Sequence, residues 1–333
     1  MMPTSRILGT GHAVPDRVVT NDELAALMDT SDEWITQRTG IRERRWVVEG
    51  ETGTGLGTLA CQRAIAAAGI APETIDAIVC ATSSPDHMAP GNGVFIQHAL
   101  GLGPVPALDI RTQCSGFVFG LHIADTYIRS GAYRTELVVG VEVQSTGLEL
   151  NDHWRITAVI FADGAGAAVV QASDDTGPNR SEILGWDLHG DGSYAEKLWV
   201  DAPGAIYHPR NREAAGDKGF LAMDGREVFR HATTRMPESL MAAMQQAGVE
   251  PGQLKLLIPH QANLRISEMV QKQLGLRDDQ VYNNIDRFGN TTAATIPIAL
   301  DECVRSGRLQ RGDLLAITAF GSGFLWGSAV MRW

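Results

Sequence analysis

The sequence predicts an α/β protein built from one unit used twice, and three observations carry that reading. Two segments about half the chain apart match each other, a second pair repeats at nearly the same spacing, and a polar loop lies between them. The first pair is Ala68–Val79 and Ala247–Ile258. Each reads as a helix end at Ala-Gly, a turn at Pro, then an apolar strand; Gly takes the C′ position and Pro follows, as helix stops do. Gly69 and Gly248 set the spacing at 179. The second pair is Ala124–Gly131 and Leu300–Gly307, spaced 176 apart. An apolar run read as a strand follows each, Leu137–Val141 and Leu314–Thr318. The stretch from Ser173 to Arg180 is a loop by composition, which divides the chain into halves 1–174 and 175–333.

The repeat places three chemically useful residues. Cys114 and Asn290 are 176 apart and precede helical patterns of equal length, Ser115–Arg129 and Thr291–Arg305. They are therefore expected at equivalent helix N-termini, face to face across a pseudo-two-fold axis. His260 follows the strand Leu254–Ile258, and ligand sites in open α/β sheets gather beyond the carboxyl ends of strands. A cysteine at a helix N-terminus is expected to have a lowered pKa and to serve as a nucleophile for acyl transfer. His and Asn side chains can donate hydrogen bonds to an oxyanion or enolate. Each residue also has an ordinary reading: a small buried hydrophobe, a hydrogen-bonded imidazole, an N-cap. The duplication raises the chemical reading to stand beside the ordinary one.

Composition excludes several classes. The 333 residues are 44% hydrophobic, enough for a large core. A net charge of -11 argues against a general nucleic-acid binder, because phosphate backbones select clustered Lys and Arg. Four cysteines, Cys61, Cys80, Cys114 and Cys303, form neither a Cys-x-x-Cys pair nor a zinc pattern, and no metal site is expected. No long apolar run marks a leader or a membrane span, so a cytoplasmic protein is expected. Gly9–Val14 begins like a dinucleotide fingerprint but lacks its third Gly, and Gly321-Ser322-Gly323 is not a hydrolase elbow. Asp163-Gly164-Ala165-Gly166 reads as a tight turn between strands.

Six motifs in order resemble β-ketoacyl-acyl-carrier-protein synthase III, a condensing enzyme of the thiolase superfamily. They are Thr30–Arg45, Cys114-Ser115-Gly116-Phe117, Phe161–Ala167, Pro259–Arg265, Gly289–Ala294 and Gly321–Gly327. The resemblance runs nearly end to end. It implies a thiolase-like, duplicated five-layer αβαβα sandwich, a homodimer, and decarboxylative condensation of an acyl-CoA primer with malonyl-acyl-carrier-protein. It implies no cofactor or metal; acyl-CoA is substrate and the acyl carrier protein a transient partner. Cys114 is then the nucleophile, His260 and Asn290 stabilise the enolate, and the backbone N–H groups of Cys114 and Ser322 form the oxyanion hole. Trp34 and Arg155 correspond to residues that sandwich the CoA adenine, with Thr30 and Arg38 near the nucleotide end. By the same resemblance, Phe229, Ala262 and Asn263 correspond to residues along the pantetheine channel. The resemblance implies a carrier-protein docking patch at Arg230, Gln261, Arg265 and Lys272.

Two departures stand out. Ser322 replaces the middle Gly of a Gly-Gly-Gly loop, where a positive φ would strain it. Ala89 stands where better-known members carry a large residue that reaches the partner's acyl pocket, so a primer longer than acetyl is expected. Two other functions use the same residues or none of them: an acyltransferase or acyl-CoA condensing enzyme of secondary metabolism, and a non-catalytic acyl-binding dimer partner.

Overall fold

The same strand order is drawn twice in this chain. The computed structural model describes residues 3–173, 175, 177, 180–206 and 216–333. Its first sheet contains β1 (Thr4–Ala13), β2 (Ala77–Ala81), β3 (Ala107–Ile110), β4 (Thr135–Glu142) and β5 (Gly164–Ser173), in the order β1-β5-β4-β2-β3. Its second contains β6 (Glu182–Gly190), β7 (Leu256–Pro259), β8 (Leu314–Gly321) and β9 (Leu325–Arg332), in the order β7-β8-β9-β6. A parallel bridge from Leu257 to Val281 stands where the second sheet's fifth strand would be. Counted within each half, both sheets then read 3-2-4-5-1. The directions match too: β2 and β4 pair parallel as β7 and β8 do, and β4–β5 pair antiparallel as β8–β9 do.

Helices fill three layers around the sheets. Helix α2 (Gly53–Ala68) packs on the outer face of the first sheet; α3 (Gly116–Ser130) and α6 (Thr295–Arg305) lie between the sheets; α4 (Gly225–Ala247) and α5 (Leu264–Leu274) cover the second. A short helix α1 (Asp32–Thr39) leans on α5. This is the five-layer αβαβα sandwich. Its middle layer is the largest core, with Phe117, Leu121 and Ile128 of α3 against Ile296 and Leu300 of α6. β2 and β4 are buried at every position because helices cover both faces of their sheet. No helix among the described residues is long and apolar enough to cross a membrane.

The structure corrects two local readings. Asp163–Gly166 is not a turn: Gly164 opens the ten-residue strand β5. Its small residues admit α6, since a Cβ on Gly166 would lie 2.7 Å from the Cβ of Pro297. The two central helices are not equal in length either, with 15 residues in α3 and 11 in α6. Of the loop between the halves, Asp174, Thr176, Pro178 and Asn179 lie outside the described residues.

Candidate active site

Cys114 sits in the 3-10 turn Gln113–Ser115 that leads into α3. The turn Thr292–Ala294 leads into α6 in the same way. Gln113 (φ 45°) and Thr292 (φ 46°) both hold left-handed backbone, where a side chain is strained. These features are 179 apart, so the structural counterpart of Cys114 is Ala293 and not Asn290. The second copy is three residues shorter between this start and the helix end, where the spacing is 176. The two helix N-termini do meet: a Cβ on Gly116 would lie 3.0 Å from that of Ala293.

Asn290 precedes this turn and is held by the other half. Its N–H donates to the carbonyl of Ile160 at 2.9 Å, and its carbonyl accepts from Ala162 at 3.0 Å. Its Oδ1 accepts the Thr292 N–H at 2.8 Å, which leaves the Nδ2 amide as the free donor end. His260 follows β7 directly, its N–H bonded to Thr318 at 2.8 Å. Its Nδ1 lies 2.7 Å from Thr295 Oγ1, while Nε2 is buried without a partner.

Cys114, His260 and Asn290 line one cavity of about 440 Å³ with Trp34, Arg38, Phe229, Ala262, Asn263 and Arg265. Thr30, Arg155, Ser322, Arg230, Gln261, Lys272 and Ala89 are not on its wall. Arg155 stands close by, its guanidinium 5.1 Å from the Trp34 ring, and Arg38 lies 4.5 Å from that ring. Arg155 is also tied to the carbonyl of Asp29. The Thr30 hydroxyl is buried without a partner. The Asn263 amide caps α5 by accepting from Arg265 N–H at 2.9 Å and donates to the Arg38 carbonyl at 2.9 Å.

Electrostatics reverse one expectation. Burial pushes the Cys114 thiol up to about 12, and the Glu142 carboxylate adds to the rise. The shift is opposite to the one expected at a helix N-terminus, because desolvation of the buried sulfur favours the neutral thiol. Burial likewise lowers His260 to about 3, so the imidazole is neutral too. Glu142, at the carboxyl end of β4, is fully buried and takes hydrogen bonds from Ser84 at 2.6 Å and Gln144 at 2.9 Å. Burial raises its pKa as well.

Gln261 is not a docking residue. It is 2% exposed, and its amide donates to the Pro259 carbonyl while accepting from Asn284 N–H. Arg230 is exposed but ion-paired with Glu227. Arg265 and Lys272 are both exposed on α5. Ser322 carries no positive φ; Gly323 does, at 138°, so the serine is accommodated without that strain. Its hydroxyl donates to the carbonyl of Leu198, a cavity-wall residue. The preceding Gly321 passes so near Cys114 that a Cβ there would lie 2.9 Å from the Cys114 Cβ. Ala89 is exposed on its loop.

Sequence reasoning missed Thr295 and Glu142. Thr295 is 35 residues from His260, and no spacing rule links them. Glu142 had a signal: a carboxylate directly closing an apolar strand at the end where ligands bind.

The comparisons with known proteins agree with one another. The family described as 3-oxoacyl-acyl-carrier-protein (ACP) synthase III matches residues 108–192, and its C-terminal family matches residues 244–333. A β-ketoacyl-acyl-carrier-protein synthase III of Xanthomonas campestris pv. campestris is 44% identical, over 99% of this chain and 98% of its own. One of Rhizobium meliloti is 42% identical over all of both chains. The crystal structure of 3-oxoacyl-acyl-carrier-protein synthase III from Aquifex aeolicus superposes with a TM-score of 0.91 at 40% identity, covering 99% of this chain and 100% of that one.

Proposed function

The chain belongs to the β-ketoacyl-acyl-carrier-protein synthase III family, and from that premise we propose which residues carry each step. It is a condensing acyltransferase that joins an acyl primer to malonyl-acyl-carrier-protein and so initiates fatty-acid synthesis. The observation that supports the assignment is that Cys114, His260 and Asn290, from three separate elements, line one cavity.

In the first half-reaction Cys114 Sγ attacks the thioester carbonyl of acyl-CoA. The carbon–sulfur bond to CoA breaks, and CoA leaves as the thiol with the proton that Cys114 gives up. The backbone N–H groups of Cys114 and Ser322 hold the oxyanion. In the second, the bond from malonyl carbon to carboxylate breaks, CO2 departs, and its electron pair forms an enolate. Asn290 Nδ2 and His260 donate to the enolate oxygen. The enolate carbon then attacks the acyl thioester and expels the Cys114 thiolate, which takes one proton from solvent to restore the thiol. The scheme uses acyl-CoA as substrate and calls on no cofactor.

Trp34 and Arg155 are assigned to the CoA adenine, Thr30 and Arg38 to the nucleotide, and Phe229, Ala262 and Asn263 to the pantetheine arm. Arg265 and Lys272 receive the acidic carrier protein. The working form is a homodimer in the cytoplasm: the edge strand β3 exposes Leu108, and Met88, beside Ala89, is 83% exposed. With only a methyl at Ala89, the partner's acyl pocket is deep enough for a primer longer than acetyl. The test is intact mass of the protein after acyl-CoAs of graded length, with CO2 release from labelled malonyl-carrier-protein. An adduct on Cys114 followed by CO2 release is expected. No adduct removes the reading, and strict acetyl preference removes the long-primer part of it.

A further inference from the structure

Thr295 Oγ1 has one proton and two acceptors within reach: His260 Nδ1 at 2.7 Å and the Thr292 carbonyl at 3.1 Å. The carbonyl already accepts the Thr295 backbone N–H, so it is not orphaned when the hydroxyl turns away from it. Nδ1 has no other partner among the described residues. An imidazole nitrogen that accepts a hydrogen bond leaves the ring proton on the other nitrogen. That nitrogen is Nε2, which has no protein partner, in a ring that lines the cavity beside Asn290.

We propose that Thr295 donates its hydroxyl proton to His260 Nδ1 and so holds the imidazole as the Nε2–H tautomer. Thr295 is a positioning residue: it touches no substrate and acts through His260. The consequence is a matched pair of neutral donors at the cavity. Asn290 presents Nδ2 because Thr292 N–H occupies its Oδ1, and His260 presents Nε2–H because Thr295 occupies its Nδ1. Both orientations are set by one short segment, residues 292–295, at the start of α6. Burial keeps the imidazole neutral, so the tautomer and not the charge decides whether it can donate. This inference rests on the role given to His260 above.

Two measurements on the full chain test it. Nitrogen-15 imidazole shifts of histidine-labelled protein, with His260 assigned by difference from His260→Gln, report the tautomer directly. A protonated Nε2 and a bare Nδ1 are expected; a proton on Nδ1 overturns the proposal. Thr295→Val keeps the shape and removes the hydroxyl. It is expected to lower kcat for condensation about 10²-fold while KM for malonyl-carrier-protein moves less than about 3-fold, with Thr295→Ser restoring kcat to within about 3-fold. Wild-type kcat in Thr295→Val, or no rescue by Ser in a folded variant, overturns it. If Thr295→Val does not fold, the wild-type shifts and the Ser variant still decide. If Cys114 never acquires an acyl group, the functional reading fails while the tautomer measurement stands on its own.

Discussion

The Thr292 N–H donates to Asn290 Oδ1 at 2.8 Å, and that bond decides which end of the Asn290 amide is left for a ligand. Asn290→Asp keeps the shape and the Thr292 contact but replaces the donor with a carboxylate oxygen. Decarboxylation of malonyl-carrier-protein should fall about 10²–10³-fold, the cost of losing one oxyanion donor. Acyl uptake on Cys114 should survive. Retention of decarboxylation in a labelled-CO2 assay would contradict the role.

The thiol of Cys114 is pushed up to about 12 by burial, with Glu142 adding to it. The thiolate fraction of the free enzyme should therefore climb about 10-fold per pH unit between pH 7 and 9. Iodoacetamide alkylation of Cys114 should follow that slope when read by mass. A flat rate above pH 7 would mean the helix N-terminus wins over burial. Cys114→Ala should lose the acyl adduct yet still release CO2 from malonyl-carrier-protein.

Glu136 is fully buried in β4 with neither carboxylate oxygen partnered, and burial together with Asp76 raises its pKa from 4.5 to about 8. Between those two values the native state binds more protons than the unfolded chain. Stability contributed by this group therefore falls as pH rises from about 4.5 to about 8 and is level above that. Glu136→Gln cannot ionise, so it should gain stability relative to the parent by on the order of 3 kcal/mol from pH 5 to pH 9. Denaturant midpoints at the two pH values measure this; an equal difference at both would show that Glu136 does not titrate there.

A chain of net charge -11 can dock an acidic carrier protein only through local charge, since screening limits exposed charges to a reach of about 8 Å at physiological salt. Arg265 and Lys272 are exposed on one helix, whereas Arg230 is already paired with Glu227. Reversing Arg265 and Lys272 to Glu should raise KM for malonyl-carrier-protein about 10-fold or more and flatten its salt dependence, with a smaller change for acyl-CoA. Arg230→Glu alone should do less. Equal losses for both substrates would remove the patch.

Much of this molecule is legible without coordinates. The Gly-Pro helix stops at Gly69 and Gly248 and the apolar runs after them are short-range signals, and they announce a unit used twice. Cys114 ahead of one central helix and His260 behind a strand follow from the same local patterns. Periodicity, caps and turns are written in neighbouring residues, so they can be read there. Tertiary structure alone decided the rest. Cys114 corresponds to Ala293 because the two turns, with left-handed Gln113 and Thr292, match at a spacing of 179. Gln261 is buried beneath Asn284, which lies 23 residues away in the chain. Burial raises the Cys114 thiol because both halves close over it, and Thr295 reaches His260 only once α6 packs beside β7. Burial and electrostatics are sums over groups distant in sequence, and the folded contacts alone fix which groups enter those sums.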